Sequence, residues 1–289
     1  MSATSTIEWT DATWNPITGC VKVSPGCDHC YASTFAERFR GTAGHYFENG
    51  FDVQLRPDKL SLPLTWKTPK RIFVNSMSDL FIDDAPAEYI AKVFAVMAST
   101  PQHVYQVLTK RHARMQSLLR NGGQRLLEAA HDEETAQTLY DAPWPLPNVW
   151  LGVSVEDQKW ADIRIPALMK TPAAVRFLSC EPLLGPVDLS RWLGVEYGEV
   201  VGDWISEMFA ALNGRIGPAG GLHWVIAGAE SGRGARPMDL DWIRTLRDQC
   251  EASGTAFFFK QRVIGGKKVP TPELDGRTWT QMPESVTAR

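Results

Sequence analysis

No stretch of this 289-residue chain approaches the roughly 18 consecutive apolar residues that a membrane-crossing helix needs, so no helical span is expected. The segment Met1 to Thr10 has neither a basic start nor an apolar centre, so no secretory leader is expected and the protein reads as cytoplasmic. A dominant charge is also missing. With 30 basic and 33 acidic residues the formal net charge is −3, which gives no global attraction to nucleic acid or acidic membranes; a polyanion would need a local patch. Cysteine is scarce and odd in number, five in all, which does not fit a secreted disulfide framework. A second CxxC pair and an H-x3-H pair are both lacking, so a structural zinc would have to take its fourth ligand from His29, His45 or a remote cysteine. Internal repeats and low-complexity tracts are absent as well.

What is present, 44% apolar and 22% charged residues, is the composition of a folded chain. Short β-branched or aromatic runs recur at Arg71 to Val74, His103 to Leu108, Asn148 to Ser154, Val175 to Cys180, His223 to Ala229 and Ala256 to Phe259. They are continuous rather than alternating, the pattern of parallel strands covered on both faces. A poorer strand is expected near Ala12 to Ile17. Helical spacing appears between them: Tyr31, Phe35 and Phe39; Ile90, Val93, Phe94 and Met97, with Pro86 near the first turn; Ile243, Leu246 and Cys250, opened by Asp239 or Asp241 and closed by Gly254. Strand and helix in alternation predict an α/β fold, a partial or full βα barrel in one elaborated domain, with a doubly wound open sheet as the competitor. The segments 121–147 and 190–221 read as insertions, and a polar tail is expected from about residue 262. Trp150 and Trp224 fall inside strands and Trp242 begins a helix, so most of the eleven tryptophans are read as packing.

Three of the five cysteines, Cys20, Cys27 and Cys30, lie within eleven residues in the spacing C-x6-C-x2-C. A CxxC pair lets two thiolates converge on one metal centre, and the Pro25-Gly26 turn can fold Cys20 toward them. Three soft thiolates suit an iron–sulfur cluster or zinc, and a cubane held by three cysteines leaves one iron open. The plain alternative is that they are small packing residues, which so polar a loop disfavours.

Each predicted strand ends in a polar cluster: Asn75, Ser76, Ser78 and Asp79; Thr109, Lys110 and Arg111; Ser154 and Glu156; Ser179 and Glu181; Glu230 and Ser231; Lys260 and Gln261. In a parallel barrel such tips share one mouth, where active sites are built, although any one of them can be a simple cap. Cys180 is expected at a strand end, as a buried small residue or as a thiol in the mouth; Cys250 falls on a helix's apolar stripe. Two basic groups, Lys67, Lys70 and Arg71, then Lys110, Arg111, His112 and Arg114 with Arg120 and Arg125, could form a phosphate-binding patch or be solvated faces.

The three-cysteine loop, its CxxC ending, the aromatic Tyr31 and the following helix resemble the radical S-adenosylmethionine superfamily, whose usual spacing is C-x3-C-x2-C; the six-residue spacer here departs from it. Nearly the whole chain is more similar to a phage-associated and bacterial family of unknown function. That similarity runs through Thr13 to Ala32, Val74 to Phe81, Leu108 to Arg111, Gly152 to Ser154, Ser179 to Leu184, Gly228 to Gly232 and Phe259 to Gln261. The Cys30-Tyr31 ending is distantly similar to spore photoproduct lyase.

The superfamily resemblance implies a [4Fe-4S] cluster on Cys20, Cys27 and Cys30, with S-adenosylmethionine at the open iron cleaved to a 5′-deoxyadenosyl radical, and an electron donor such as flavodoxin or ferredoxin. It implies Lys110 against the cofactor's carboxylate and Ser76, Ser78, Asp79 or Glu156 against its ribose or amino group. Gly228, Glu230 and Ser231 would lie near adenine, and Asn75, Thr109, Ser154, Ser179, Glu181 and Lys260 would complete the surroundings. Cys180 could serve as hydrogen-atom donor or fourth ligand. Nucleic acid is a candidate substrate class, suggested by the basic runs rather than by the resemblance. Two rivals stand beside this reading: a non-catalytic nucleic-acid-binding protein with a structural zinc or cluster, and a cluster enzyme that does not cleave the sulfonium.

Overall fold

The computed structural model describes residues 5–194, 221–232 and 234–283. These fall into two compact units, residues 1–149 and 150–289, and the chain is mixed α/β.

In the first unit β1 (Ala12–Trp14) pairs in parallel with β4 (Arg71–Val74), and β4 with β5 (Val104–Thr109). The poorer strand expected at Ala12 to Ile17 is two pieces. Pro16, which has no N–H to donate, separates β1 from β2 (Ile17–Thr18), and β2 pairs antiparallel with β3 (Gln54–Leu55). Helix α1 is Tyr31–Glu37 and α2 is Pro57–Leu60. The stripe Tyr31, Phe35 and Phe39 does not face a core. Helix α1 is seven residues long, buries only Ala32 and Ala36, and leaves Tyr31 and Phe35 exposed. Phe35 instead meets Phe39 and Phe47 edge to face, a small satellite cluster.

Helix α3 (Ala87–Ala98) carries the chain from β4 to β5, with Pro86 as its N-cap and Ile90, Val93, Phe94 and Met97 buried as the 3.6-residue spacing requires. After β5 come α4 (His112–Leu119), α5 (Gln124–Ala129) and α6 (Glu133–Asp141), the last opened by Asp132, which accepts from Thr135 N–H. The segment read as an insertion at 121–147 therefore contains two helices, both packed on α3.

In the second unit β6 (Val149–Ser154), β7 (Val175–Cys180), β8 (Trp224–Gly228) and β9 (Ala256–Ile264) pair in parallel in sequence order. Helix α7 (Gln158–Met169) connects β6 to β7, and α8 (Leu240–Ser253) connects β8 to β9. Asp239 caps α8, Gly254 closes it at φ +70°, and Cys250 is in the core. Consecutive order with helical crossovers is the arrangement that the strand–helix alternation predicts within each unit. The segment read as a second insertion, 190–221, lies mostly outside the described residues, Trp204 included.

Trp14, Trp150 and Trp224 are among the largest fully buried side chains, and two of them satisfy their indole N–H at backbone carbonyls: Trp14 at Lys59, 2.7 Å, and Trp224 at Gln281, 2.9 Å. Arg176, 1% exposed, donates to the carbonyls of Leu168 and Thr171 at 3.3 and 3.0 Å, placing a cation at the C-terminus of α7.

The expected polar tail is folded as far as residue 283. β9 turns back through β10 (Lys267–Pro270), a ribbon of β11 (Glu273–Leu274) and β12 (Arg277–Thr278) follows, and Trp279 is buried between flanking guanidiniums of Arg247 and Arg277.

Candidate functional site

The cysteine loop leaves β2 through Gly19, whose φ of +84° and whose surroundings both demand glycine: a Cβ there would lie 2.1 Å from the Asp52 carbonyl oxygen. Gly19 is clipped to the tip of β4, its N–H donating to the Met77 carbonyl at 3.0 Å and its carbonyl accepting from the Ser78 hydroxyl at 2.8 Å. Asn15 holds the same tip, accepting from Met77 N–H at 2.9 Å and donating to the Ser76 hydroxyl at 3.2 Å. Tyr31, beside the last cysteine, donates to the Ser76 carbonyl at 2.6 Å. Between these anchors the loop makes a 3-10 turn over Pro25–Cys27, and Cys30 is the N-cap residue of α1.

Asp79 organises the next tip. Its carboxylate accepts from the Thr109 hydroxyl at 2.7 Å, from Lys110 N–H at 2.9 Å and from Phe81 N–H at 3.0 Å. Thr109 in turn accepts from Arg111 N–H at 2.8 Å, and the Arg111 guanidinium donates to the Val21 carbonyl at 3.1 Å, inside the cysteine loop. Burial and, less strongly, the charge of Asp79 push the Cys20 thiol up to about 11, while the Arg111 guanidinium pulls the other way. Asn75 sits among these residues with φ +59°, 2% exposed, and both atoms of its side-chain amide are buried without a hydrogen-bond partner. A non-glycine residue in the left-handed region with an orphaned amide carries two separate costs at one position, the kind of outlier that collects where ligands bind. The first unit thus gathers Asn75, Ser76, Ser78, Asp79, Thr109 and Lys110 around the base of the cysteine loop.

The second unit holds the other expected tips. Glu156 and Arg164 form a fully buried ion pair at 2.8 Å, Arg164 also donates to the Ser154 carbonyl at 2.9 Å, and Trp160 lies over its guanidinium. Ser179 and Cys180 are buried in β7, and burial pushes the Cys180 thiol well above its usual range, so it stays protonated. Glu181 pairs with Lys260 at 2.8 Å. Glu230 accepts from Arg236 N–H and Nε at 2.9 and 3.0 Å, Gly228 accepts from Leu183 N–H at 3.0 Å, and Ser231 is half-buried.

A family model described as a protein of unknown function, DUF5131, matches residues 4–283. The chain belongs to the DUF5131 family. No curated protein matches this DUF5131 chain. Among solved structures it is similar to spore photoproduct lyase complexed with dinucleoside spore photoproduct, at 12% identity and a TM-score of 0.44, over 83% of this chain and 73% of that one. A likeness of that size bears on neither residues nor chemistry.

In this DUF5131 protein the donor set has the chemistry that a cluster needs: three thiols on one loop, half-buried, none in a disulfide. Among the described residues, however, no three His, Cys, Asp or Glu side chains are gathered closely enough to hold a metal ion. The orphaned amide of Asn75 is the feature that points to a bound group. The basic runs do not make an open phosphate patch. Arg71 is paired with Asp11 at 2.8 Å, Arg114 donates to the carbonyls of Ile82 and Ala85, and Arg111 serves the cysteine loop, leaving Lys67, Arg120 and Arg125 exposed. Asn15 and the clamping role of Arg111 are invisible to motif reading. Their signals, one amide before Pro16 and one cation two residues after a threonine, acquire meaning only through contacts 60 to 90 residues away in sequence.

Proposed function

We propose that this protein is an iron–sulfur enzyme of the radical S-adenosylmethionine type acting on nucleic acid, with Cys20, Cys27 and Cys30 as the cluster's ligands. The observation that carries the reading is the convergence, on one strand tip, of the three-thiol loop's anchors and the buried, unpartnered amide of Asn75. Cluster and S-adenosylmethionine, when bound, supply one-electron cleavage of the sulfonium to methionine and a 5′-deoxyadenosyl radical.

The chain's own part is to hold and orient. Gly19, Ser78 and Tyr31 fix the two ends of the loop, and Arg111 ties its middle to the β5 tip. Asn75 offers one donor pair and one acceptor to a ligand from a water-excluded position. Lys110, whose backbone N–H Asp79 holds, follows the β5 tip and is a cation there for a carboxylate. Each unit's sequentially ordered parallel strands are what a partial barrel of this type is made of.

The test is metal and sulfide analysis of anaerobically purified protein, followed by incubation of the reduced protein with S-adenosylmethionine. Iron and sulfide near four each per chain, lost in Cys27→Ala, and release of 5′-deoxyadenosine are expected for this cluster type. Zinc instead of iron, or no metal in the wild type, overturns the reading.

A further inference from the structure

The segment Lys260 to Pro270 contains four cations and no acidic residue, in a chain whose net charge is −3. One of the four, Lys260, is paired with Glu181. Arg262, Lys267 and Lys268 lie in the paired part of the β9–β10 hairpin. Its turn is Gly265-Gly266, at φ +56° and +75°, the two-residue connection with both positions left-handed that matches the twist of a tight ribbon.

The register sets Lys267 opposite Ile264 and Lys268 opposite Val263. Alternation therefore puts Arg262, Ile264 and Lys267 on one face and Val263 and Lys268 on the other. Lysines on an outer strand can serve simply to block edge-to-edge pairing. That role does not account for the tip, where Val263 and Ile264 are 36% and 49% exposed: protection against aggregation would place polar side chains there. Nor does it account for Arg262, half-buried in the ribbon with its Nε lacking a partner.

We infer that the β9–β10 hairpin is a nucleic-acid-binding ribbon whose partner is duplex DNA. A two-stranded ribbon fits the major groove, which is about 12 Å wide, and cations on both faces meet the phosphates on either side of it. The exposed Ile264, on the face that also carries Arg262 and Lys267, meets base edges or thymine methyl groups, which a purely ionic surface would not use. Single strands are bound largely by stacking bases on aromatic rings, and residues 260–270 contain none. The inference stands on the hairpin alone and does not depend on a cluster.

Fluorescence anisotropy of a labelled duplex of about 20 base pairs, titrated with the full-length protein without added iron between 50 and 200 mM salt, tests it. Each phosphate contact contributes about −0.9 to the slope of log K against log salt. The variant Lys267→Gln, Lys268→Gln is expected to reduce that slope by about 2 and to weaken binding at least tenfold at low salt. Ile264→Ser is expected to weaken binding severalfold with the slope unchanged. Lys159→Gln, on α7, serves as a control expected to change neither, and unchanged thermal midpoints establish that all variants fold. The inference is overturned if wild type and the double variant have the same slope, if single strands bind more tightly than duplex, or if duplex is not bound at 50 mM salt.

Discussion

The Thr109 hydroxyl donates to the Asp79 carboxylate at 2.7 Å across thirty residues of sequence, and this bond joins the tips of β4 and β5. Asp79 is 6% exposed and takes three donors, so removing its charge strands groups that have no water to turn to. Asp79→Ala is expected to destabilise the protein by about 2 to 3 kcal/mol and Thr109→Val by about 1 kcal/mol. A double-mutant cycle in urea should return a coupling of about 1 kcal/mol between them. Additive losses would show that the two side chains act separately.

Asn75 separates stability from binding. Its left-handed backbone costs about 1 kcal/mol relative to glycine, and its orphaned amide adds a desolvation penalty of about 1 to 3 kcal/mol. Asn75→Gly removes both and is expected to raise the urea midpoint, whereas Asn75→Ala removes only the second. Both variants are expected to lose affinity for S-adenosylmethionine by tenfold or more, measured by equilibrium dialysis on reconstituted protein. A glycine variant that is less stable than wild type would mean that the amide has a partner in the folded protein.

Much of this arrangement can be read from sequence because its cause is local. The runs Arg71 to Val74 and Val175 to Cys180 are short and rich in β-branched and aromatic residues, and both are strands at those limits. Asp239 and Gly254 punctuate α8 by capping chemistry that needs no tertiary knowledge. Reading fails where the decisive partner is remote or where one residue type serves two ends. Phe35 has helical spacing but belongs to a satellite cluster with Phe47, and Arg111 looks like a member of a basic patch until Val21 is found beside it. The hairpin at Gly265-Gly266 was hidden by polarity: flanked by lysines, it has the composition of a tail and the geometry of a ribbon.

Arg111 is the tie between the cysteine loop and the second strand tip, and that tie can be cut without touching a cysteine. The side chain is 11% exposed and its bond to the Val21 carbonyl precedes Lys22, an exposed trypsin site. Losing one such charge-assisted bond, worth about 1.5 kcal/mol, is expected to raise the rate of trypsin cleavage after Lys22 roughly tenfold in Arg111→Gln. Arg111→Lys should fall between the two, because a lysine cannot reach Val21 and Asp83 together as the guanidinium fork does. Equal cleavage rates in all three proteins would remove the clamp from the account of the loop.

His223 makes stability depend on pH in the second unit. Its Nδ1 accepts from the Arg176 N–H at 3.1 Å, and burial, reinforced by the charge of Arg176, lowers its pKa from 6.5 to about 4. The unfolded chain therefore takes up the proton before the folded one does, and the contribution of His223 is complete above pH 6.5 and lost as the pH falls toward 4. Protonation would also set an N–H of the ring against the Arg176 N–H that it now accepts from, so the folded form resists it for a geometric as well as a dielectric reason. The full loss is about 3 kcal/mol, and about 2 kcal/mol of it should appear between pH 7 and pH 5 as a fall in urea stability. His223→Asn has no proton to take up in that window. Its stability, lower than wild type at pH 7, should fall less steeply to pH 5, and parallel curves for the two proteins would assign the pH dependence to other groups.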